Sequence, residues 1–546
     1  MDKVLLINPV STVHDRNINI FSEFLPEWKL RRLYNPNLKW FYDKKNCIAE
    51  NAVWFLKSGR LPGNVFDNVK AVVLFSAQPR IPHLNLIQEA ALRKIPVIAV
   101  EEVYQMAFEQ GYVNEYFIPV DRLLAASEYE RKRFIAIGIA EEAVETTGCI
   151  FRYSKPQNRD MQQREELKRR LRVSADKKIA TLCLAYLSNL GETLEIRKRL
   201  LKILSEGLPE EYELIIKPHP AEDDANFAEF VNTYAPGAKI VNQHISINEL
   251  LGITDVLFNR GNSQVLIDAI QRDIAVAVIP VGRKILFNTI LEEVIVKRSE
   301  DVRKVLEHIQ RMGTGLYKRI LEYFPIIPEE AVRKTIARIK QIAEDGELYK
   351  PEERLVKISL FWAWAGYSGE AKKLLTLTKA RFDRAPCLDE AHRLLSHHTD
   401  RKAINVLKKW LNGSYMEWIL QSLWVRTLYE TGRKMMPEDK EWLVSYPPLM
   451  NREAFFPYFP LLYWSYVRSG MQEEGSALLE RFHDTDTPLK HIELRRLTKN
   501  ERYNDAKDYW YWRLKHSAWL LLKNLTYRVG QVTDYIPREA KCKLKR

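Results

Sequence analysis

The sequence predicts an α/β protein of two Rossmann-like domains followed by an all-α helical-repeat domain. Three observations carry this expectation. Short apolar runs alternate with helical stretches through residues 1–155, and the same alternation recurs through residues 156–345. From about Glu352 the strand signal vanishes, and most of the 13 tryptophans lie beyond that point. The expected division is therefore 1–155, 156–345 and 350–546.

In the first unit Val4–Ile7, Ala71–Phe75, Val97–Val100 and Arg122–Ala125 read as buried parallel strands joined by crossover helices. A turn and a last short strand within 141–148 close it. The charged stretch 157–172 reads as a linker and a first helix. In the second unit the strands fall near Ile179–Leu182, Leu214–Ile216, Lys239–Val241, Asp255–Phe258 and Ala275–Ile279. Helices over 265–271, 299–312 and 329–344 follow from apolar periodicity. In the tail, small-residue positions recur in pairs such as Ala365-Gly366 and Gly369, or Ser469-Gly470 and Gly475. Their spacing, roughly 30 to 40 residues, is near the helix-turn-helix repeat of about 34. Tetratricopeptide-like hairpins and an irregular helical bundle both fit.

Composition narrows the class. A chain of 546 residues with 46% hydrophobic and 28% charged residues is an ordinary multi-domain globular protein. The five cysteines are scattered without metal-ligand spacing, which suits a reduced cytoplasmic setting. The run at Val4–Ile7 is too short for a signal peptide and reads as a first strand. No stretch reaches the roughly 20 apolar residues a membrane span needs. The net charge of +13 is mostly dispersed, but Arg538, Lys541, Lys543, Lys545 and Arg546 crowd the C-terminus. That end reads as a solvated tail with a weak membrane-surface contact at the inner face of the cell membrane; no nucleic-acid partner is expected.

Two segments of the second unit carry chemistry. Lys217-Pro218-His219-Pro220 ends the strand 212–216, and two prolines fix the backbone around the histidine. Asn259-Arg260-Gly261-Asn262-Ser263-Gln264 follows the strand 255–258 and opens a helix. In open parallel sheets such strand ends line the ligand crevice, and a helix start offers free N–H groups to an anion. Lys217, His219, Pro220, Arg260, Gly261, Asn262 and Ser263 are therefore candidate phosphate-binding residues. A lone structural histidine and an ordinary helix cap are the alternatives. In the first unit Glu101-Glu102 follow the strand 97–100, placing two carboxylates where a general base could stand. An acidic helix start reads equally well there. His14, in the loop after the first strand, is a further candidate.

Paired Rossmann-like domains, a His-Pro in the second and a small-residue turn opening a later helix resemble GT-B glycosyltransferases. The resemblance covers about residues 1–345. It is nearest to bacterial sialyltransferases, the Kdo transferases of capsule assembly and the teichoic-acid polymerases. It implies that His219 and Ser263 contact the phosphate of a CMP-sugar donor and that Glu101 or Glu102 is the catalytic base. Val103 stands where those families place a glycine after the acidic pair. The segment from Asp121 to Cys149, with Ser127-Glu128-Tyr129-Glu130, is similar to the end of many GT-B first domains.

The resemblance implies a metal-independent glycosyltransferase with no cofactor beyond its nucleotide-sugar donor. That donor would be a CMP-activated acidic sugar such as Kdo or a sialic-acid-like sugar, and the acceptor a bacterial surface glycan or glycoprotein. Teichoic-acid polyol-phosphate transferases and sugar-nucleotide epimerases share similar signals. An inactive GT-B scaffold that recruits a protein partner through its helical repeats is the reading from another class. On the enzyme reading, a chain cut at about residue 346 keeps donor hydrolysis and loses acceptor transfer, provided the shortened chain folds.

Overall fold

The computed structural model describes residues 3–8, 20–34, 52–54, 61, 64–75, 81–101, 119–136, 138–150, 161–174, 176–184, 193–219, 226–241, 245–261, 263, 265–280, 291–323, 325–364, 367–382, 387–395, 401–411, 414–431, 433, 435–444, 466 and 470–475.

The first domain is built on seven parallel strands: β1 (Val4–Asn8), β2 (Lys29–Tyr34), β3 (Ala52–Trp54), β4 (Val69–Phe75), β5 (Val97–Val100), β6 (Arg122–Ala125) and β7 (Val144–Thr146). Their order is β3-β2-β1-β4-β5-β6-β7. Helices α1 (Ile81–Leu92) and α2 (Glu128–Ala136) belong to its crossovers. All four residues of β5 and of β6 are buried, which is why these runs are apolar without alternation. Arg122 of β6 is the exception in kind: its guanidinium pairs with Glu347 and lies 3.6 Å from Glu145. Strands β2 and β3 are additions to the expected set. Strand β2 reads Lys-Leu-Arg-Arg-Leu-Tyr, and its charges hide it from an apolar-run search. Arg31 is accommodated because its Nη1 donates to the carbonyl oxygens of Val65 at 2.6 Å and Asp67 at 3.1 Å.

The second domain follows as α3 (Met161–Arg170), β8 (Lys178–Cys183), α4 (Leu194–Gly207), β9 (Tyr212–Lys217), α5 (Phe227–Tyr234), β10 (Lys239–Ile240), α6 (Ile247–Leu251), β11 (Val256–Asn259), α7 (Val265–Ile270) and β12 (Ala275–Val278). The strand order is β10-β9-β8-β11-β12, all parallel. The chain enters at β8, runs outward through β9 and β10, then returns to β11. The β8/β11 boundary is thus a topological switch point, where such sheets open a crevice at their C-terminal edge. Helices α8 (Ser299–Met312) and α9 (Lys318–Tyr323) complete this half.

Helix α10 (Pro328–Asp345) crosses back. Pro at its start, Glu329 and Glu330 in its first turn and a left-handed Gly346 at its end define it. The expected boundary at 345 groups this helix with the second sheet. Its buried Val332, Ile336, Ile339 and Ile342 instead share a core with Leu5, Ile7, Val73, Ile98 and Leu124 of the first. Thr335 donates to Thr147 at 2.8 Å, and Arg338 grips Glu145 through two nitrogens at 2.7 and 2.6 Å. Gly148 permits this approach. Its φ is +92°, and a Cβ there would stand 2.6 Å from the Ala331 Cβ.

The tail comprises α11 (Pro351–Trp364), α12 (Ser368–Arg381), α13 (Leu388–Leu395), α14 (Arg401–Leu411), α15 (Ser414–Thr431) and α16 (Pro437–Val444). Their lengths of 14, 14, 8, 11, 18 and 8 residues are unequal. Every residue of α11 from Ile358 to Trp364 is buried. This helix lies against α1, and the Trp362 indole donates to Gln88 at 2.8 Å. One apolar cluster joins Leu84, Ile87 and Ala91 of the first domain to Leu355, Phe361 and Trp362 of the tail. No helix among the described residues is long and apolar enough to cross a membrane.

Candidate functional site

The two phosphate-binding candidates of the sequence meet at one edge of the second sheet. Lys217 ends β9 in register with Cys183, the last residue of β8. Asn259 ends β11 beside it, and its side-chain amide donates to the Cys183 carbonyl at 3.3 Å. Lys217, Cys183 and Asn259 thus form a row across three adjacent strand ends, with Lys217 and Asn259 about 10 Å apart at the usual strand spacing. His219 extends two residues beyond this row on one flank. Arg260, Gly261 and Ser263 extend beyond it on the other.

Each flank has a local cause. The Asn259 carboxamide oxygen accepts from the Gly261 N–H at 2.9 Å, which folds the chain back at the strand end. Gly261 has φ +79°, in the left-handed region. Ser263 then caps α7, its hydroxyl accepting from the Val265 N–H at 3.4 Å and its carbonyl from Leu266 at 3.3 Å. Helix α7 spans only six residues, so its dipole contributes little at this edge. On the other flank Lys217 and Pro218 are buried and His219 is half-buried. Burial pushes the Cys183 thiol up to about 12, against the pull of the nearby Lys217 charge. Arg260 is also buried, at 3% exposure. A guanidinium taken that far from water needs anionic or carbonyl partners. Pro220 and Asn262 lie outside the described residues.

In the first domain Glu101 immediately follows β5, and its N–H donates to Leu124 of β6 at 3.1 Å. Its side chain is only 1% exposed. Glu130, in the first turn of α2, is fully buried. Burial, and then the Glu101 charge, push the Glu130 carboxyl well above the usual carboxylate range. Two carboxyls so placed cannot both ionise cheaply, and burial favours the neutral form of Glu130. One Glu130 oxygen accepts from the Ala126 N–H at 3.1 Å, while the Glu130 N–H donates to the Ser127 hydroxyl at 3.1 Å. The sequence signal for this residue is the spacing from Ser127 to Glu130, a serine whose hydroxyl caps the helix start with an acid three residues on. Glu102 and His14 lie outside the described residues.

No protein-family model matches the chain. A segment of 105 residues is 30% identical to 3-deoxy-D-manno-octulosonic acid transferase of Chlamydia pneumoniae, covering 19% of this chain and 24% of that protein. A segment of 163 residues is 23% identical to actin-like protein 7B of Homo sapiens, covering 28% of this chain and 38% of that one. The chain therefore spans well under half the length of either curated relative. Among solved structures, the wall teichoic acid polymerase TagF superposes with a TM-score of 0.44 at 14% identity, over 63% of this chain and 90% of that one. The UDP-GlcNAc 2-epimerase of Neisseria meningitidis, bound to UDP-GlcNAc, gives 0.43 at 11% identity, over 62% of this chain and all of that one.

Proposed function

We propose that this chain is a GT-B glycosyltransferase that moves an acidic sugar from a CMP-activated donor to a surface glycan or glycoprotein acceptor. The carrying observation is the convergence of Lys217-Pro218-His219 and Asn259–Ser263 on one sheet edge, on either side of the β8/β11 switch point. Cationic and hydroxyl groups at a strand-end crevice suit a phosphate-bearing donor. The local likeness to a transferase of 3-deoxy-D-manno-octulosonic acid supports an acidic sugar.

In this reading a first-domain carboxylate takes the proton of the acceptor hydroxyl. The acceptor oxygen forms its bond to the anomeric carbon while the bond from that carbon to the phosphate oxygen breaks. The electron pair leaves with CMP. His219 and Ser263 donate hydrogen bonds to the departing phosphate, and Lys217 adds positive charge at the same edge, so no metal ion is required. Glu101 is buried and its charge acts on Glu130, which favours Glu102 as the base of the acidic pair in this reading. The basic C-terminus would add a weak contact with the cytoplasmic face of the membrane.

The test is nucleotide release by the full-length chain. CMP-Kdo, CMP-sialic acid, CDP-glycerol and UDP-GlcNAc are supplied singly, with and without surface glycan. Release of CMP from one CMP-sugar, accelerated by glycan, is the expected result. Turnover of CDP-glycerol alone would make it a polyol-phosphate transferase. Isomerisation of UDP-GlcNAc without a sugar acceptor would make it an epimerase. No turnover of any donor would leave the scaffold reading.

A further inference from the structure

A cavity of about 570 Å³ opens where the first domain meets the helical tail, away from the second sheet. Its size falls in the range of small-molecule sites, about 300–1,000 Å³. The first domain contributes an apolar wall around Val120, Leu123 and Ile139 and the carboxylate of Glu142. The tail and the segment leading into it contribute Tyr349, Lys350, Glu353, Lys357 and the Lys409-Trp410 pair. We propose that this cavity is a second ligand site, one that takes a saccharide bearing a phosphate or carboxylate group.

Charge is the first argument. Four cationic side chains, Lys350, Arg354, Lys357 and Lys409, line the cavity against two carboxylates. Arg354 is matched by Asp121 behind the wall, and the Lys357 ammonium stands 2.6 Å from Glu353. The Lys350 ammonium is 3.9 Å from the same Glu353, and Glu142 accepts the Tyr349 hydroxyl at 2.8 Å. Among the described residues Lys409 has no ion-pair partner. Positive charge therefore remains after the internal pairs are made.

Shape and polarity point to what carries the anion. Trp410 is half-buried beside Lys409, so an aromatic surface adjoins a cation. The C–H face of a sugar ring can stack there with its acidic group at the ammonium. Glu142 and Glu353 alternate with the lysines and can accept hydrogen bonds from hydroxyl groups. A backbone hydrogen bond and the Tyr349 hydroxyl hold the Glu142 carboxyl below its usual range, so it remains an acceptor. An arrangement of cations, carboxylates and one aromatic platform suits a hydroxyl-rich acid better than a bare anion or a lipid chain. The inference stands apart from the donor site, because no cavity-lining residue belongs to the second domain.

The experiment measures binding of glucose 1-phosphate to the full chain by titration calorimetry, with glucose, inorganic phosphate and CMP as separate arms. Lys350 and Lys409 are both exposed, so the Lys350→Ala/Lys409→Ala variant keeps the fold, and its melting temperature checks this. Glucose 1-phosphate should bind the wild type more tightly than glucose or phosphate does. The double variant should weaken it about tenfold or more, since each charge-assisted hydrogen bond is worth roughly that factor. His219→Ala should leave it unchanged. Equal binding of glucose, or of phosphate alone, overturns the proposal. So does loss of binding in His219→Ala with none in the double variant, or displacement of glucose 1-phosphate by CMP.

Discussion

The Asp121 carboxylate, fully buried at the start of β6, is clasped by the Arg354 guanidinium of the tail. The same carboxylate accepts from the Val97 N–H at 2.7 Å and from the Tyr349 N–H at 2.8 Å. One side chain therefore ties two strands of the first sheet to the tail. Burial pulls the Arg354 guanidinium down to about 9, and the carboxylate beside it favours its charged form. Removing one partner of such a pair leaves an uncompensated buried charge. Asp121→Asn should cost about 3–5 kcal/mol in urea unfolding. Asp121→Asn combined with Arg354→Met should recover part of that loss, because no charge is then stranded. A double-variant loss equal to the sum of the Asp121→Asn and Arg354→Met losses would show that the pair carries no coupling.

This junction changes the expectation for a shortened chain. The sequence suggests a detachable tail, yet Trp362 is 1% exposed and shares its core with α1. A chain ending at 346 loses α11 and uncovers Leu84, Ile87 and Ala91. It should aggregate or unfold and release no nucleotide from any donor. Trp362→Ala in the full chain should cost about 3–5 kcal/mol, as large aromatic deletions in cores do. A soluble 346-residue fragment with the full-length melting temperature would contradict the shared core.

The strands of both sheets were legible where they are buried on both faces, because that burial demands unbroken apolar runs such as Ala71–Phe75. Strand β2 was not legible, since Arg31 is satisfied by loop carbonyls that no local pattern announces. The row of Lys217, Cys183 and Asn259 was half legible. Motif and strand end could be read from sequence, but the adjacency of β8 and β11 is a matter of topology. Glu130 lies within a recognisable segment, but no local pattern assigns it a role, because its burial depends on how β5 and α2 pack. Asp121 and Arg354 are 233 residues apart, and nothing local links them.

Glu130 gives the protein a pH signature. Its folded-state pKa is raised above the unfolded value, so its contribution to stability is fully present below the unfolded pKa, about 4.3. That contribution is lost as pH rises through the folded-state value. Glu130→Gln removes the titration while its amide oxygen can still accept from Ala126. The variant should gain stability relative to wild type as pH is raised from about 4 to 8. Paired melting curves across that range check it. A stability difference that stays flat with pH would show that Glu130 is not held protonated.

The donor edge and the acidic pair should separate cleanly in kinetics. His219 donates to the leaving phosphate in the proposed mechanism, so His219→Ala should weaken CMP binding and slow transfer by roughly 10- to 150-fold. Ser263→Ala should cost less, because the Ser263 hydroxyl is one of several donors and also serves as a cap. Glu102→Gln should drop turnover by about 10²- to 10⁴-fold while CMP affinity holds, the mark of a lost general base. Glu101→Gln should act differently. Its buried carboxyl adjoins Glu130, so the change should relieve the charge pressing on Glu130 and alter stability more than turnover. Measuring CMP affinity and single-turnover transfer for all four variants distinguishes the roles. Turnover lost in Glu101→Gln but retained in Glu102→Gln would move the base to Glu101 and require that residue to become accessible when substrate binds. Normal turnover in both would take the base out of this pair.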